Sequence, residues 1–321
     1  MITLIPYTES DAGRWDALVG SSKNGTFLFY RGFMDYHRSK FTDCSLLFEK
    51  KGNIVGCFPA NYFEEEKAVY SHQGLTYGGL ILDRRMGYDE VAEMFDLLCG
   101  YYKAKYGAER LIYKPVPYIY NRYPSEEAMY CLFKKGARLV GRGLSSTIDL
   151  SNRLKMKGSR SYCVLKGKKA GLSVVEANSS ADISSYWQLL SDCLRSGHGV
   201  SPVHSIDEMV LLTERFPKNI SLYICKSSDG RLLAGCWLFK CGEVLHTQYL
   251  ASSDEGKQTG ALDLVISEIL ENHSSGYRYL DFGVSTEEGG KVLNNGLLFQ
   301  KEGFGGRGVC YDVWEISLRS N

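Results

Sequence analysis

The feature that most limits what this chain can fold into is an internal repeat, because a repeat tells how often one supersecondary unit must be built before any motif is weighed. Residues 45–63, SLLFEKKGNIVGCFPANYF, alternate in β fashion around Lys51-Gly52-Asn53, and residues 221–240, SLYICKSSDGRLLAGCWLFK, do so around Ser228-Asp229-Gly230. Both second strands carry Gly-Cys, at Gly56-Cys57 and Gly235-Cys236. An amphipathic helix follows each: Val91, Met94, Phe95, Leu98 and Tyr102 recur at helical spacing, as do Leu262, Val265, Ile266, Ile269 and His273. Each helix leads through a glycine to a short apolar strand, Gly107 to Tyr113 and Gly276 to Phe282. The copies also end alike, with Leu132-Phe133-Lys134-Lys135-Gly136 before Gly141-Arg142-Gly143, and Leu298-Phe299-Gln300-Lys301-Glu302-Gly303 before Gly306-Arg307-Gly308.

Four landmarks in one order imply two α/β domains of one ancestry, residues 1–152 and 153–321, and a length of 321 residues accommodates both. The second domain has its own opening. Leu172 to Glu176 reads as a strand, Ile183, Tyr186, Trp187, Leu190 and Leu194 mark a helix, and Ser205 with Glu208 forms a capping box before another.

A net charge of +1 excludes binding of nucleic acid by bulk charge. The 22 tyrosines suit half-buried strands and wet clefts and name no function. Ten cysteines without a C-x-x-C pair or His at zinc-finger spacing read as buried thiols in a reducing compartment, and six dispersed His do not argue a metal. The N-terminus lacks a basic region followed by an apolar stretch, and no apolar run approaches a membrane span, so the expectation is a cytoplasmic protein.

Leu262 to Leu270, then Gly276-Tyr277-Arg278-Tyr279-Leu280-Asp281-Phe282-Gly283, then Phe299-Gln300-Lys301-Glu302-Gly303-Phe304-Gly305-Gly306 carry a resemblance. The chain resembles tandem GNAT-type acyltransferases, and its second half the branch that includes the Fem-type peptidoglycan aminoacyltransferases. The resemblance implies two GNAT-like domains with mixed sheets flanked by helices, and acyl transfer to an amine on a small molecule, sugar, peptide or envelope precursor. The donor it implies is acyl-CoA or aminoacyl-tRNA. GNAT enzymes hold the CoA diphosphate on a Q/R-x-x-G-x-G/A loop at a helix N-terminus. The corresponding stretch here, Ser252 to Ala261, keeps Gly256, Lys257 and Gly260 but not that spacing, and Asp254 and Glu255 repel phosphate.

Several groups of residues are candidates for the chemistry. Alternation along VLHTQYLA puts His246 and Gln248 on one strand face, placed to orient an amine, and Tyr249 on the other. Asp281, Ser285 and Glu287 lie where a strand ends and a loop begins, where ligands gather in α/β sheets, and can take a proton from an ammonium. Asp281 can equally brace the loop. Lys301 and Arg307 can hold an anion where Phe304, Gly305 and Gly306 permit close backbone approach; a tight bulge is the alternative.

Residues 153–169 carry Arg153, Lys155, Lys157, Arg160, Lys166, Lys168 and Lys169 with no acid, fit either for a tRNA acceptor end or a polyphosphate, or as a solvated helix face. In the first half, Ser71 to Gly79, with His72 and Tyr77, and Lys114 form either the wall of a substrate cleft or a structural turn. His198 and His204 flank Pro202 and are weaker candidates. No Ser-His-Asp or Cys-His elbow is visible, so direct attack without a covalent enzyme intermediate is expected. The alternative function is a non-catalytic carbohydrate- or peptide-binding protein on a degenerate GNAT cleft.

Overall fold

The computed structural model describes residues 1–177, 179–198 and 201–319, with the side chains of residues 197 and 198 outside the described set. The chain forms two compact units. The first holds Met1–Leu144, Thr286–Leu293 and the chain from Val309 onward; the second holds Ser145–Ser285 and Asn294–Gly308. The boundary therefore falls inside the strand Arg138–Asp149 rather than at residue 152. The last strand, Arg307–Ser317, pairs Trp314 with Tyr113 and Ile316 with Leu111, which assigns the C-terminus to the first unit.

In the first unit, Leu46–Lys50 and Asn53–Phe58 form the expected hairpin, and Lys51 and Gly52 take the positive φ that its two-residue turn requires. The helix Tyr88–Tyr106 buries Val91, Met94, Phe95, Leu98 and Tyr102, each worth about 1.5–3 kcal/mol relative to exposure. It ends at Gly107, whose φ of 60° is the left-handed cap.

The second unit orders its strands as Ser173–Glu176, Ile220–Lys226, Leu232–Cys241, Val244–Ser252, Tyr279–Val284 and the end of Arg138–Asp149. Leu245, Leu280 and Phe282 pack with Val265, Ile266 and Ile269 of the segment after Ala261. The capping box at Ser205 is present, with Ser205 Oγ accepting from Glu208 N at 3.1 Å.

Both units repeat one detail. Ala68–Tyr70 runs parallel to Arg110–Tyr113 for three residue pairs, and Val244–Ser252 runs parallel to Tyr279–Val284 for three. The Gly-Cys landmark has a packing cause in each copy: a Cβ on Gly56 would stand 3.0 Å from Met94 Sδ, and one on Gly235 would stand 2.6 Å from Tyr186 Cε2.

None of the ten cysteines is paired, but burial is not general: Cys310 is exposed and Cys99, Cys163 and Cys193 are half-buried. Among the described residues, no cluster of three or more His, Cys, Asp or Glu could hold a metal, and no helix is long and apolar enough to cross a membrane.

Candidate active site

The second unit's two parallel strands separate at one point. Their pairs are Val244 with Tyr279, Leu245 with Leu280 and His246 with Asp281. Past that last pair, Gln248 is the extra residue of a bulge opposite Trp237 and Leu238, and the other strand slips register between Asp281 and Val284. A mid-sheet interruption of this kind leaves backbone and side chains aimed at a gap instead of a ladder.

Asp281 closes the gap and is fully buried. Its Oδ1 accepts hydrogen bonds from Ser145 Oγ at 2.5 Å and Thr147 Oγ1 at 2.8 Å, and its Oδ2 lies 3.0 Å from His246 Nδ1. A carboxylate only accepts, so the His246 hydrogen sits on Nδ1 and Nε2 is the basic nitrogen of the neutral ring. The ring lies against Gly283, whose φ is +72° and where a Cβ would stand 3.3 Å from His246 Cε1.

Lys301 comes from the helix Asn295–Gly303, which Asn294 caps by accepting from Leu297 N at 3.0 Å. Its Nζ donates to the carbonyls of Gly283 and Val284, each at 2.8 Å. Burial pushes its pKa down to about 8, and the charge of Asp281 pulls it partly back up. At neutral pH it is still mostly charged. Lys301 also lines a cavity of about 550 Å³ with Phe282, Phe304, Leu250, Ile266 and Gln300. By strand alternation Phe282 faces away from Asp281, and Lys301 lines the cavity with Phe282 while its Nζ bonds the strand's carbonyls just beyond, at Gly283 and Val284.

The structure separates other residues that the sequence grouped. Tyr249 does not face away from His246 by simple alternation, because the bulge at Gln248 resets it: its ring meets Trp187 and its hydroxyl lies 2.6 Å from His204 Nδ1. Gln248 adjoins that tyrosine as the bulged residue. Ser285 is buried and its Oγ has no hydrogen-bond partner among the described residues. Glu287 is exposed in the first unit's short hairpin, paired in register with Val292, so it is not part of the second unit. Arg307 is exposed and bonds the Gly306 carbonyl at 2.6 Å, while Lys301 is buried.

The glycines serve packing. A Cβ on Gly305 would stand 2.8 Å from Leu154 O, and one on Gly306 3.0 Å from Ser146 Cβ. His72 and Tyr77 are buried in the first unit rather than presented as a wall; burial pushes His72 down to about 3, and Tyr77 packs on Phe29 and Tyr120. The side chain of His198 lies outside the described residues.

The donor-loop position is closed by the chain itself. Asp254–Thr259 is a helical turn capped by Ser253, which accepts from Gly256 N at 3.0 Å, and Lys257 pairs with Asp254 at 2.8 Å. A Cβ on Gly256 would meet Leu233 O at 2.3 Å, and one on Gly260 would meet Cys163 O at the same distance, so the helix Gly158–Lys169 lies directly against the start of Ala261–Glu268. Arg160 from that basic run bonds Asp263 at 3.0 Å. Lys166, Lys168 and Lys169 are exposed in the helix's last turn, where cations complement the dipole. Asp254 and Glu255 in the first turn and the close packing at Gly256 and Gly260 work against a diphosphate at that helix start.

Sequence reasoning missed Ser145 and Thr147, although Ser145-Ser146-Thr147 is an unusual hydroxyl run for a strand, and it missed the Arg160–Asp263 pair.

Residues 161–288 match a family model described as an acetyltransferase (GNAT) domain. Among solved structures, FemX superposes with a TM-score of 0.72 at 12% identity, covering 98% of this chain and 97% of that one. L-PGS from Bacillus licheniformis gives 0.62 at 12% identity over 96% and 92%. A tandem GNAT protein from the clavulanic acid biosynthesis pathway gives 0.52 at 10% identity over the whole of both chains. No curated protein matches the chain in sequence. The fold is the tandem GNAT fold, with a Fem-like arrangement, as the sequence resemblance implied.

Proposed function

We propose that the chain is an N-acyltransferase whose second unit passes an acyl or aminoacyl group to a primary amine by direct attack. The observation that supports this most is the hydrogen-bonded His246–Asp281 pair, with the buried cation of Lys301 bonded to the Gly283 carbonyl two residues beyond Asp281 and lining the 550 Å³ cavity. An acyl chain seated against Phe282 and Phe304 brings its carbonyl to the gap where the strands part. An amine approaching on the His246 face loses its proton to Nε2 as its nitrogen bonds to the carbonyl carbon. Asp281 steadies the resulting imidazolium. Lys301 Nζ stabilises the negative oxygen of the tetrahedral intermediate, a preorganised charge in a partly dry site. Collapse expels the leaving group, which takes a proton from the imidazolium.

The acids Asp254 and Glu255 in the first turn, the cap of Gly256 N by Ser253 and the close approach of Cys163 O to Gly260 support an aminoacyl ester over acyl-CoA as donor. The test is amide formation from acetyl-CoA and from charged tRNA with amine acceptors, in the native chain and in His246→Ala and Lys301→Met. Both variants should lose at least about a hundredfold in turnover. Native-level turnover in His246→Ala would overturn the mechanism. A chain that binds a carbohydrate or peptide ligand, forms no amide from either donor and is indifferent to both substitutions would establish the binding-protein reading instead.

A further inference from the structure

The helix Gly158–Lys169 of the second unit is packed on one side only. Its inner face is held firmly: Arg160 bonds Asp263 at 3.0 Å, Val164 is buried, and a Cβ on Gly167 would stand 3.5 Å from Gly260 O and from Leu264 Cδ2. With about 3.6 residues per turn, the outer pole opposite Val164 and Gly167 carries Gly158, Tyr162, Leu165 and Lys169. Tyr162 is 66% exposed and Leu165 56%, and Lys166 and Lys168 stand to either side of them. At the start of the helix Lys157 Nζ lies 4.4 Å from the centre of the Phe299 ring, itself 57% exposed.

Two properties of this face call for a partner together. The first is charge. No acid interrupts residues 153–169, and Lys155, Lys157, Lys166, Lys168 and Lys169 make no ion pair among the described residues, in a chain whose net charge is only +1. The helix dipole accounts for cations in the last turn. It does not account for the second property, a tyrosine and a leucine turned to solvent at the middle of the same face. A nucleic-acid backbone would answer the lysines but would set its hydrated phosphates against Leu165, where nothing can bond them. An anionic lipid surface answers both. Leucine enters the acyl boundary, the tyrosine ring sits at headgroup level with its hydroxyl in water, and lysines lie along the apolar surface with their ammonium groups at the phosphates. No helix among the described residues is long and apolar enough to cross a membrane, so the contact is with its surface.

We propose that the outer face of Gly158–Lys169 docks this chain on an anionic lipid surface, with Tyr162 and Leu165 entering the headgroup boundary and Lys166, Lys168 and Lys169 reaching the lipid phosphates. The test is co-sedimentation of the full chain with vesicles of phosphatidylserine and phosphatidylcholine in equal parts, against vesicles of phosphatidylcholine alone. The native chain should bind the anionic vesicles only, and added salt should weaken binding. Lys166→Gln/Lys168→Gln/Lys169→Gln should lose on the order of a hundredfold, at about fivefold per lysine. Tyr162→Ser/Leu165→Ser keeps every charge and should still lose about tenfold. All five positions are exposed, and circular dichroism checks that the helix is retained. His246→Ala should bind vesicles as the native chain does, which separates docking from the acyl-transfer reading. No binding by the native chain, equal binding to neutral vesicles, or native affinity in the lysine variant would overturn the proposal. So would native affinity in Tyr162→Ser/Leu165→Ser, which, with tighter binding to an RNA oligonucleotide, would make the face a polyanion site instead.

Discussion

Replacing Asp281 by Asn tests the candidate site with an almost unchanged shape. Both hydroxyl donors, Ser145 Oγ and Thr147 Oγ1, bond Oδ1, so the Asn carbonyl oxygen is held there and its NH₂ is forced into the Oδ2 position, 3.0 Å from His246 Nδ1. An amide nitrogen only donates. The imidazole must therefore move its hydrogen to Nε2, and the nitrogen assigned to take the amine's proton becomes a donor. A charge-assisted hydrogen bond worth about 1.5–3 kcal/mol gives way to a neutral one worth about 0.5–1.5, so the fold should lose only about 1–2 kcal/mol. Turnover should fall about 10²–10⁴-fold, the usual reach of a general base. Nitrogen NMR of labelled histidine reads the tautomer without any substrate, and steady-state kinetics read turnover. An unchanged His246 tautomer in the variant would refute the reasoning even if activity fell, and an inverted tautomer with native turnover would remove His246 from the mechanism.

Other expectations are independent of that pair. Lys301 has its pKa lowered from 10.5 to about 8 on folding, so between those values the unfolded chain binds more protons and stability rises with pH. Urea unfolding at a series of pH values should show a gain approaching about 3 kcal/mol across that window, absent in Lys301→Met. Gly260→Ala places a Cβ 2.3 Å from Cys163 O at a φ of +80°, and should cost at least about 2 kcal/mol by the same assay; a neutral result would mean the two helices are not in contact. Alkylation followed by peptide mass mapping should label the exposed Cys310 first and leave Cys57 untouched, since burial raises that thiol well above its ordinary range. Cys163 and Cys193 line the 550 Å³ cavity, so a true donor should slow their labelling.

What could be read from the sequence followed from side-chain period and turn chemistry. The hairpin at Lys51-Gly52, the helix bearing Met94 and Leu98, and the cap at Ser205 depend on neighbours a few residues away, and all form as expected. Asp281 and His246 were both legible as candidates, but their partnership was not, because it depends on the parallel register of strands 35 residues apart. The bulge at Gln248 was hidden for the same reason: one extra residue reverses alternation and leaves no local mark. Glu287 stands apart from Asp281 because adjacency in sequence says nothing about which compact unit a strand joins, and the chain changes unit at Ser285, Leu293 and Gly308; Arg307 stays in the second unit with Lys301 but is exposed where Lys301 is buried.

The comparison of the two copies is what confines the proposed chemistry to one of them. In each, three parallel pairs form before the strands part, and the third pair occupies the equivalent place. In the second copy that pair is His246 and Asp281; in the first it is Tyr70 and Ile112. Ile112 has no charge to orient a base. Tyr70 donates to Glu66 at 2.7 Å, and burial, with that carboxylate's help, raises its pKa to about 12, so it holds its proton at any physiological pH. The fold is thus present twice, but a hydrogen-bonded histidine–carboxylate pair stands at only one of the two equivalent places. A fold built twice therefore requires the proposed reaction of only one of its two copies.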